Sequence, residues 1–119
     1  MIVIVCGGRK FGDQESAFKA LDEARVLLGI TGIAHGGAGG ADTLADEWAT
    51  SRDVPCVVYP AHWDSHGRAA GPIRNQEMLS QSGAEAVLAF PGGAGTRDMC
   101  ERARNAGLLV YEFTPEERE

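Results

Sequence analysis

Residues 84–98 read AEAVLAFPGGAGTRD and combine an apolar run, a glycine turn and a helical segment. Residues 84–90 are almost wholly apolar, as in a strand that is covered on both faces, and helical spacing begins after the glycines. A turn of this kind exposes backbone N–H groups at the positive end of a helix dipole. We therefore predict a binding site for an anion at this turn, and a phosphate group suits it best.

The same order of strand, turn and helix recurs along the chain. Apolar runs predict five strands, at residues 2–6, 32–35, 54–59, 84–90 and 108–113. Helical spacing predicts helices between Asp13, a candidate N-cap, and Gly29, from Ala41 onward, over 72–82 and over 96–106. Residues 60–67 are predicted as a loop.

Alternating strands and helices pack as right-handed βαβ units around a parallel sheet. We therefore predict an α/β fold, a Rossmann-like three-layer sandwich with helices on both faces of a mostly parallel five-stranded sheet. The strand order expected from the statistics of such folds is 3-2-1-4-5. Residues 1–113 are expected to form one domain, and residues 114–119 a charged tail.

The composition and the net charge argue against several classes of binding partner. The net charge of −6 comes without a visible basic face, which argues against nucleic acid as the main partner. No apolar run approaches the ~20 residues of a membrane span, so no membrane partner is expected. The three cysteines lack CxxC spacing and are odd in number, which is typical of reduced thiols in a cytoplasmic protein. Without HExxH or comparable spacing, neither a metal nor a cofactor is predicted.

The glycines are clustered, mainly at residues 7–8, 36–40 and 92–95. In a parallel sheet, every loop from a strand to the following helix opens at the carboxyl edge, where ligands bind. The loops after the first four predicted strands carry glycines, arginines or aromatic residues, whereas the opposite loops are plain. This asymmetry predicts that the carboxyl edge is the functional edge.

The first two loops contain candidate ligand-binding residues of four kinds. Arg9 carries a planar fork of donors that suits a phosphate. Phe11 either stacks on a base or closes the core. Asp42 either accepts hydrogen bonds from ribose hydroxyls or holds its own loop through backbone N–H groups. The remaining candidates have little or no side chain, which lets a ligand approach the backbone: Gly7, Gly8, Gly37, Ala38 and Gly40.

The third and fourth loops supply the cations and the phosphate turn. Arg68 and Arg74 are the cations best placed to offset the acidic background, and Trp63 offers a ring for stacking. Thr96 either caps the following helix or donates to phosphate. Asp98 either favours the helix dipole or reaches a ligand hydroxyl. Asn75, Pro91, Gly92, Gly93 and Gly95 complete the candidates, whereas loop histidines such as His62 and His66 are more often neither ligands nor acid–base groups.

The combined pattern resembles the SLOG superfamily, and within it the YspA-type (YAcAr) branch. Five blocks in order carry the resemblance over nearly the whole chain: GGRKFGD at 7–13, GAGGADTLA at 37–45, PAHW at 60–63, GRAAGPIRN at 67–75 and PGGAGT at 91–96. The resemblance implies a Rossmann-like fold that binds a nucleotide or phosphoribosyl ligand, ADP-ribose-like or a nucleoside monophosphate, as a sensor or processor. Arg74 and Asn75 resemble the helix residues that help to hold the nucleotide.

The superfamily also includes the LOG phosphoribohydrolases and the DNA-processing protein DprA. LOG enzymes continue the phosphate loop as PGGxGTxxE, and that glutamate takes part in breaking the N-glycosidic bond of nucleoside 5′-monophosphates. The matching position here is Met99, so an enzyme of this kind would depend on Asp98 or Asp42 for catalysis. DprA-like binding of single-stranded DNA is disfavoured by the net charge. Because LOG relatives dimerise, the resemblance also implies a homo-oligomer.

Overall fold

The computed structural model describes residues 1–114, so the predicted charged tail lies outside the described residues except for Thr114. The strands are Ile2–Cys6 (β1), Gly32–His35 (β2), Cys56–Val58 (β3), Ala86–Ala89 (β4) and Leu109–Glu112 (β5). The helices are Gln14–Leu28 (α1), Ala41–Ser51 (α2), Trp63–His66 (α3), Ala70–Gln81 (α4) and Ala94–Asn105 (α5). A 3-10 turn at Gly67–Ala69 joins α3 to α4.

The five strands form one parallel sheet in the order β3-β2-β1-β4-β5. This confirms the predicted α/β fold and its strand order. The central strand β1 is buried on both faces, because Val3 and Val5 belong to the apolar cluster beneath α1 and α2, whereas Ile4 belongs to the cluster beneath α4 and α5. The order reverses at β1, so the carboxyl ends of β1 and β4 flank a crevice of the kind in which such folds bind ligands.

Two predicted helix ends are confirmed. Asp13 is the N-cap of α1, and its carboxylate accepts a hydrogen bond from the Ser16 N–H at 3.1 Å. Gly29 ends α1 in the left-handed conformation, with φ of 66°, which glycine adopts without steric cost. Among the described residues, no helix combines the length and apolar character needed to cross a membrane.

Several predicted bounds are wrong by a few residues. β3 is confined to Cys56–Val58, although the carbonyl of Pro55 still accepts a hydrogen bond from the Ile33 N–H at 2.9 Å. α4 begins at Ala70 rather than at Pro72, because a proline in the first turn removes an N–H that has no helical partner. The predicted loop at 60–67 contains the short helix α3, and α5 begins at Ala94 rather than at Thr96.

Candidate ligand-binding site

A crevice of about 670 Å³ opens at the carboxyl edge of the sheet. It lies between the loops that follow β1, β2 and β4, with α3 and α4 forming the remaining wall. Thirteen of the predicted site residues line it: Gly7, Gly8, Arg9, Ala38, Asp42, Trp63, Arg68, Arg74, Asn75, Gly93, Gly95, Thr96 and Asp98. The four loops that were predicted to form one site therefore meet in the structure.

The loops after β1 and β4 are joined through their backbones. The Gly8 N–H donates a hydrogen bond to the Pro91 carbonyl at 2.8 Å. A Cβ atom on residue 92 would lie 2.6 Å from the Gly8 nitrogen and 3.0 Å from the Gly7 carbonyl carbon. Glycine is required at position 92 because the two turns are in direct contact, which fixes the position of the α5 N-terminus relative to β1.

The loops after β1 and β2 are in contact as well. The Ala41 N–H donates to the Gly8 carbonyl at 3.1 Å. Gly40 has φ of 53°, and a Cβ atom there would lie 2.5 Å from the Arg9 carbonyl carbon. Gly37, Gly40, Pro91 and Gly92 therefore shape these loops without lining the crevice.

Arg74 lies across the bare backbone of Gly36. Its Nη1 donates to the carbonyls of Gly36 at 2.7 Å and Tyr59 at 3.3 Å, and its Nε donates to Asn75 Oδ1 at 3.1 Å. A Cβ atom on residue 36 would lie 2.6 Å from the Arg74 Cζ. Burial lowers the pKa of Arg74 from its ordinary value, but an arginine keeps its charge at neutral pH. Gly36 was not among the predicted site residues, although its place at the start of a glycine run was a signal.

Asn75 and Asp98 connect α4 to α5. The Asn75 Nδ2 donates to Asp98 Oδ2 at 3.0 Å and to the Gly95 carbonyl at 3.3 Å. The Arg102 Nε donates to the same Asp98 oxygen at 2.9 Å. The Asp98 carboxylate is thus already held by two donors, and Asn75 positions the first turn of α5.

Asp42 is buried, with 5% of its surface exposed, and it accepts a hydrogen bond from the Ala38 N–H at 3.0 Å. Burial raises the pKa of this carboxyl, and the Ala38 hydrogen bond opposes the rise. Of the two predicted alternatives, loop holding is present in the structure. The residue also lines the crevice, so a contact with ligand stays a prediction.

Arg9 and Trp63 lie together at the crevice mouth. The Arg9 guanidinium lies 5.7 Å from the centre of the Trp63 ring, which is close enough for a cation–π contact. Trp63 is 48% exposed. The exposed part of the Trp63 ring is a surface of the kind on which planar groups stack.

The α5 N-terminus carries no side-chain cap within the described residues. Its N-cap is Gly93, so the predicted capping role of Thr96 is wrong, and Thr96 lines the crevice instead. The first N–H groups of a helix have no helical partner. Those of Ala94, Gly95 and Thr96 are therefore available on the crevice wall.

Phe11 lies on the other side of the first loop. Its ring is stacked on Phe90, with centroids 5.1 Å apart, and it packs against the cluster beneath α1 and α2. This position matches the predicted alternative in which Phe11 closes the core. Phe11 does not line the crevice.

A second polar cluster lies beneath the glycine loop that follows β2. His35 Nδ1 accepts from the Gly37 N–H at 3.0 Å, so Nε2 carries the ring proton and donates to Asp46 Oδ2 at 2.7 Å. Cys56 Sγ is 3.7 Å from the same oxygen, and burial raises the pKa of that thiol to about 11. These donors are close enough for a metal ion. However, a metal on Nε2 would displace the proton that this arrangement requires, so the cluster is better suited to holding the loop.

The chain is a parallel α/β domain, and a crevice lined by glycines and arginines opens where the strand order reverses. These features define the class of the protein as a Rossmann-like domain with a crevice for small molecules. A family model described as the YspA, cpYpsA-related SLOG family matches residues 1–66, more than half of the chain. The chain is also 39% identical over 120 residues to the Gene 61 protein of Mycobacterium phage D29, an alignment that covers 93% of this chain and 94% of that protein. The chain therefore belongs to the YspA, cpYpsA-related SLOG family, which confirms the resemblance and suggests a nucleotide-related ligand.

Proposed function

We propose that the chain binds a nucleotide or a nucleotide-derived ligand, ADP-ribose-like or a nucleoside monophosphate, in the crevice at the carboxyl edge of the sheet. One observation carries the proposal: the uncapped N-terminus of α5 lines the same crevice as three arginines. Helix N–H groups and guanidinium groups both bind phosphate oxygens, and here they converge.

The local charge supports an anion, although the whole chain carries −6. Arg9, Arg68 and Arg74 line the crevice together with two carboxylates, Asp42 and Asp98. The Asp98 charge is offset by Arg102, with which it forms an ion pair at 2.9 Å. The net charge of the side chains that line the crevice, together with Arg102, is therefore positive.

The other parts of a nucleotide have candidate partners in the same crevice. The half-exposed Trp63 lines the same crevice as the phosphate turn and offers a ring for stacking a base. The Asp42 carboxylate offers an acceptor for ribose hydroxyls. Phe11 is not assigned to the ligand, because its ring is stacked on Phe90.

Hydrolysis of the ligand, as in the LOG phosphoribohydrolases, is the second candidate function. Asp42 favours it, because a buried carboxyl with a raised pKa inside a crevice is a typical general acid or base. Two observations oppose it. Met99 is buried in the cluster beneath α4 and α5, and Asp98 is held by Asn75 and Arg102. Binding as a sensor or processor therefore remains our first proposal.

Binding is tested by calorimetry with AMP, CMP and ADP-ribose, after mass spectrometry of small molecules that copurify with the chain. Arg68→Gln is expected to weaken binding about tenfold, since a charge-assisted hydrogen bond contributes ~1.5 kcal/mol. Arg97→Gln is the matched control, because Arg97 is an exposed arginine on α5 that does not line the crevice. Absence of binding for all three compounds, or an equal loss in both variants, would contradict the proposal.

The two candidate functions are separated by an assay for release of the base from the same compounds. Tight binding without free base supports the sensor. Turnover that is lost in Asp42→Asn or Asp98→Asn, with binding retained, supports the phosphoribohydrolase.

A further inference from the structure

The chain between β3 and α4 crosses the rim of the crevice without packing on the core. We call residues 60–69 the α3 segment; none of them is buried, and residues 62–69 are all exposed. The segment is fixed at both ends, because the Tyr59 N–H donates to the His35 carbonyl at 2.8 Å and Ala70 is 1% exposed. The α3 segment is therefore anchored at its two ends and free of the core between them.

The hydrogen bonds of the α3 segment are local. The N–H groups of Ser65 and His66 both donate to the His62 carbonyl, at 3.1 and 3.0 Å. In the described part of the chain, no hydrogen bond joins the segment to a strand or to α1, α2 or α5. Few buried contacts and local hydrogen bonds are the marks of a part of a protein that opens at low free-energy cost. The segment can therefore detach as a unit while the sheet stays folded.

The contact between Arg9 and Trp63 joins the α3 segment to the opposite wall of the crevice. Arg9 belongs to the loop after β1, and its guanidinium lies 5.7 Å from the centre of the Trp63 ring. Both side chains are exposed, and a cation–π contact between exposed groups is weak. This contact therefore closes one side of the crevice mouth in a way that breaks and forms again easily.

The α3 segment carries two groups that suit a nucleotide. Trp63 and Arg68 are the residues of the segment that line the crevice. An aromatic ring stacks on a base, and a guanidinium binds phosphate oxygens. Gly67, which lies between them in sequence, has φ of 54° and open space where a Cβ atom would be. Small residues at the ends of elements are typical hinges, so changes at few backbone angles would move both groups.

We propose that the α3 segment is a lid over the crevice and that the Arg9–Trp63 contact is its latch. Release of the contact widens the mouth and admits a ligand. The bound ligand then holds the lid closed through the Trp63 ring and the Arg68 guanidinium, which excludes water from the crevice. Closure on the ligand rests on the proposed function. The latch does not, and it is measured without ligand.

Fluorine NMR of the ligand-free chain, labelled with 5-fluorotryptophan, tests the lid. The chain has two tryptophans: Trp63 on the lid, and the fully buried Trp48, which serves as an internal reference. Trp63→Phe assigns the two resonances. Relaxation dispersion is expected to show exchange between two states at Trp63 and none at Trp48. No exchange at Trp63, or equal exchange at both tryptophans, would overturn the lid.

Two variants test the latch in the same measurement. Arg9→Gln is expected to raise the population of the detached state about two- to fivefold, the factor that an exposed cation–π contact supplies. Lys10→Gln is the matched control, because Lys10 is the neighbouring exposed cation and does not line the crevice. A population in Arg9→Gln that is no higher than in the parent chain, or an equal rise in Lys10→Gln, would contradict the latch.

Saturating ADP-ribose, with binding verified by calorimetry, tests closure. Exchange at Trp63 is expected to fall to the level of Trp48. If ADP-ribose binds and the exchange at Trp63 is unchanged, closure is wrong and the proposed function still stands. If neither ADP-ribose nor AMP nor CMP binds, the proposed function and closure fail together, and the exchange in the ligand-free chain still decides the lid and its latch.

Discussion

Gly92 and Gly95 lie three residues apart, yet the structure gives them different steric limits. A Cβ atom at 92 would meet the backbone of Gly7 and Gly8, whereas at 95 no heavy atom of the described residues lies within 4 Å. Gly92→Ala is therefore expected to lower the free energy of unfolding by about 1–3 kcal/mol. Gly95→Ala, in the first turn of α5, is expected to be neutral or stabilising by up to ~1 kcal/mol.

Urea unfolding of the two glycine variants and the parent chain measures the difference. Equal stabilities for Gly92→Ala and Gly95→Ala would mean that the turns after β1 and β4 are free to separate. A loss confined to Gly92→Ala would support a rigid contact between them.

Asp42, a single residue, provides a prediction about how the free energy of unfolding depends on pH. Its carboxyl has a raised pKa in the folded chain because it is buried, so the folded state binds that proton more tightly than the unfolded state. The contribution of Asp42 to the free energy of unfolding therefore falls as pH rises from its ordinary pKa through the raised one. Asp42→Asn keeps an oxygen for the Ala38 N–H and removes this dependence.

Unfolding curves between pH 3 and pH 8 test the Asp42 prediction. The stability of Asp42→Asn relative to the parent chain is expected to increase with pH across this interval. A relative decrease would indicate that the hydrogen bonds to the carboxylate outweigh its burial.

At the scale of elements, Asp22 connects α1 to α2. Its carboxylate accepts from the buried Trp48 Nε1 at 2.8 Å and from both Arg52 Nε and Nη2 at 2.8 Å. Asp22→Ala leaves the indole N–H without its acceptor, which is expected to cost about 1–3 kcal/mol. Asp22→Asn keeps an acceptor and loses only a half-exposed charge, so a cost below ~1 kcal/mol is expected.

Acid titration of the Asp22 variants separates the ion pair from the hydrogen bond. Arg52, with Trp48, lowers the pKa of Asp22 to about 2, so the stabilisation by the charged form is complete above the ordinary carboxyl pKa and lost as pH falls to about 2. Asp22→Asn is expected to lack this part of the acid loss. Equal destabilisation of Asp22→Ala and Asp22→Asn at every pH would mean that the charge of Asp22, rather than its hydrogen bond to the Trp48 indole, stabilises the contact between α1 and α2.

The elements that the sequence predicted correctly are those with strong local signals. β1 is an unbroken apolar run ended by glycines, and α1 has a carboxylate cap and a glycine stop, so both were expected at the observed places. α3 was missed because four residues are too few to show helical periodicity, and the start of α4 was misplaced because Gly71 and Pro72 are tolerated in a first turn.

The site was predicted as a set of loops but not as a set of contacts. Alternation of strands and helices was enough to bring the glycine turns to one edge. The hydrogen bond of Arg74 to the Gly36 carbonyl joins residues 38 apart, and that of Asn75 to Asp98 joins residues 23 apart. No local pattern reports such pairs, since they depend on how α4 packs between β2 and α5.

At the scale of the whole molecule, three strands deliver their turns to one crevice, so a ligand there contacts parts of the chain that are far apart in sequence. Gly8 bonds to both Pro91 and Ala41, which couples these turns before any ligand arrives. Hydrogen exchange with saturating ADP-ribose is therefore expected to slow together at residues 7–9, 36–42 and 93–97, while the exposed residues 25–27 of α1 serve as an internal control. Protection at 93–97 alone would mean that the ligand contacts only the N-terminus of α5 and would contradict the proposed crevice site. Protection at all three segments would support binding in the crevice that the arginines line.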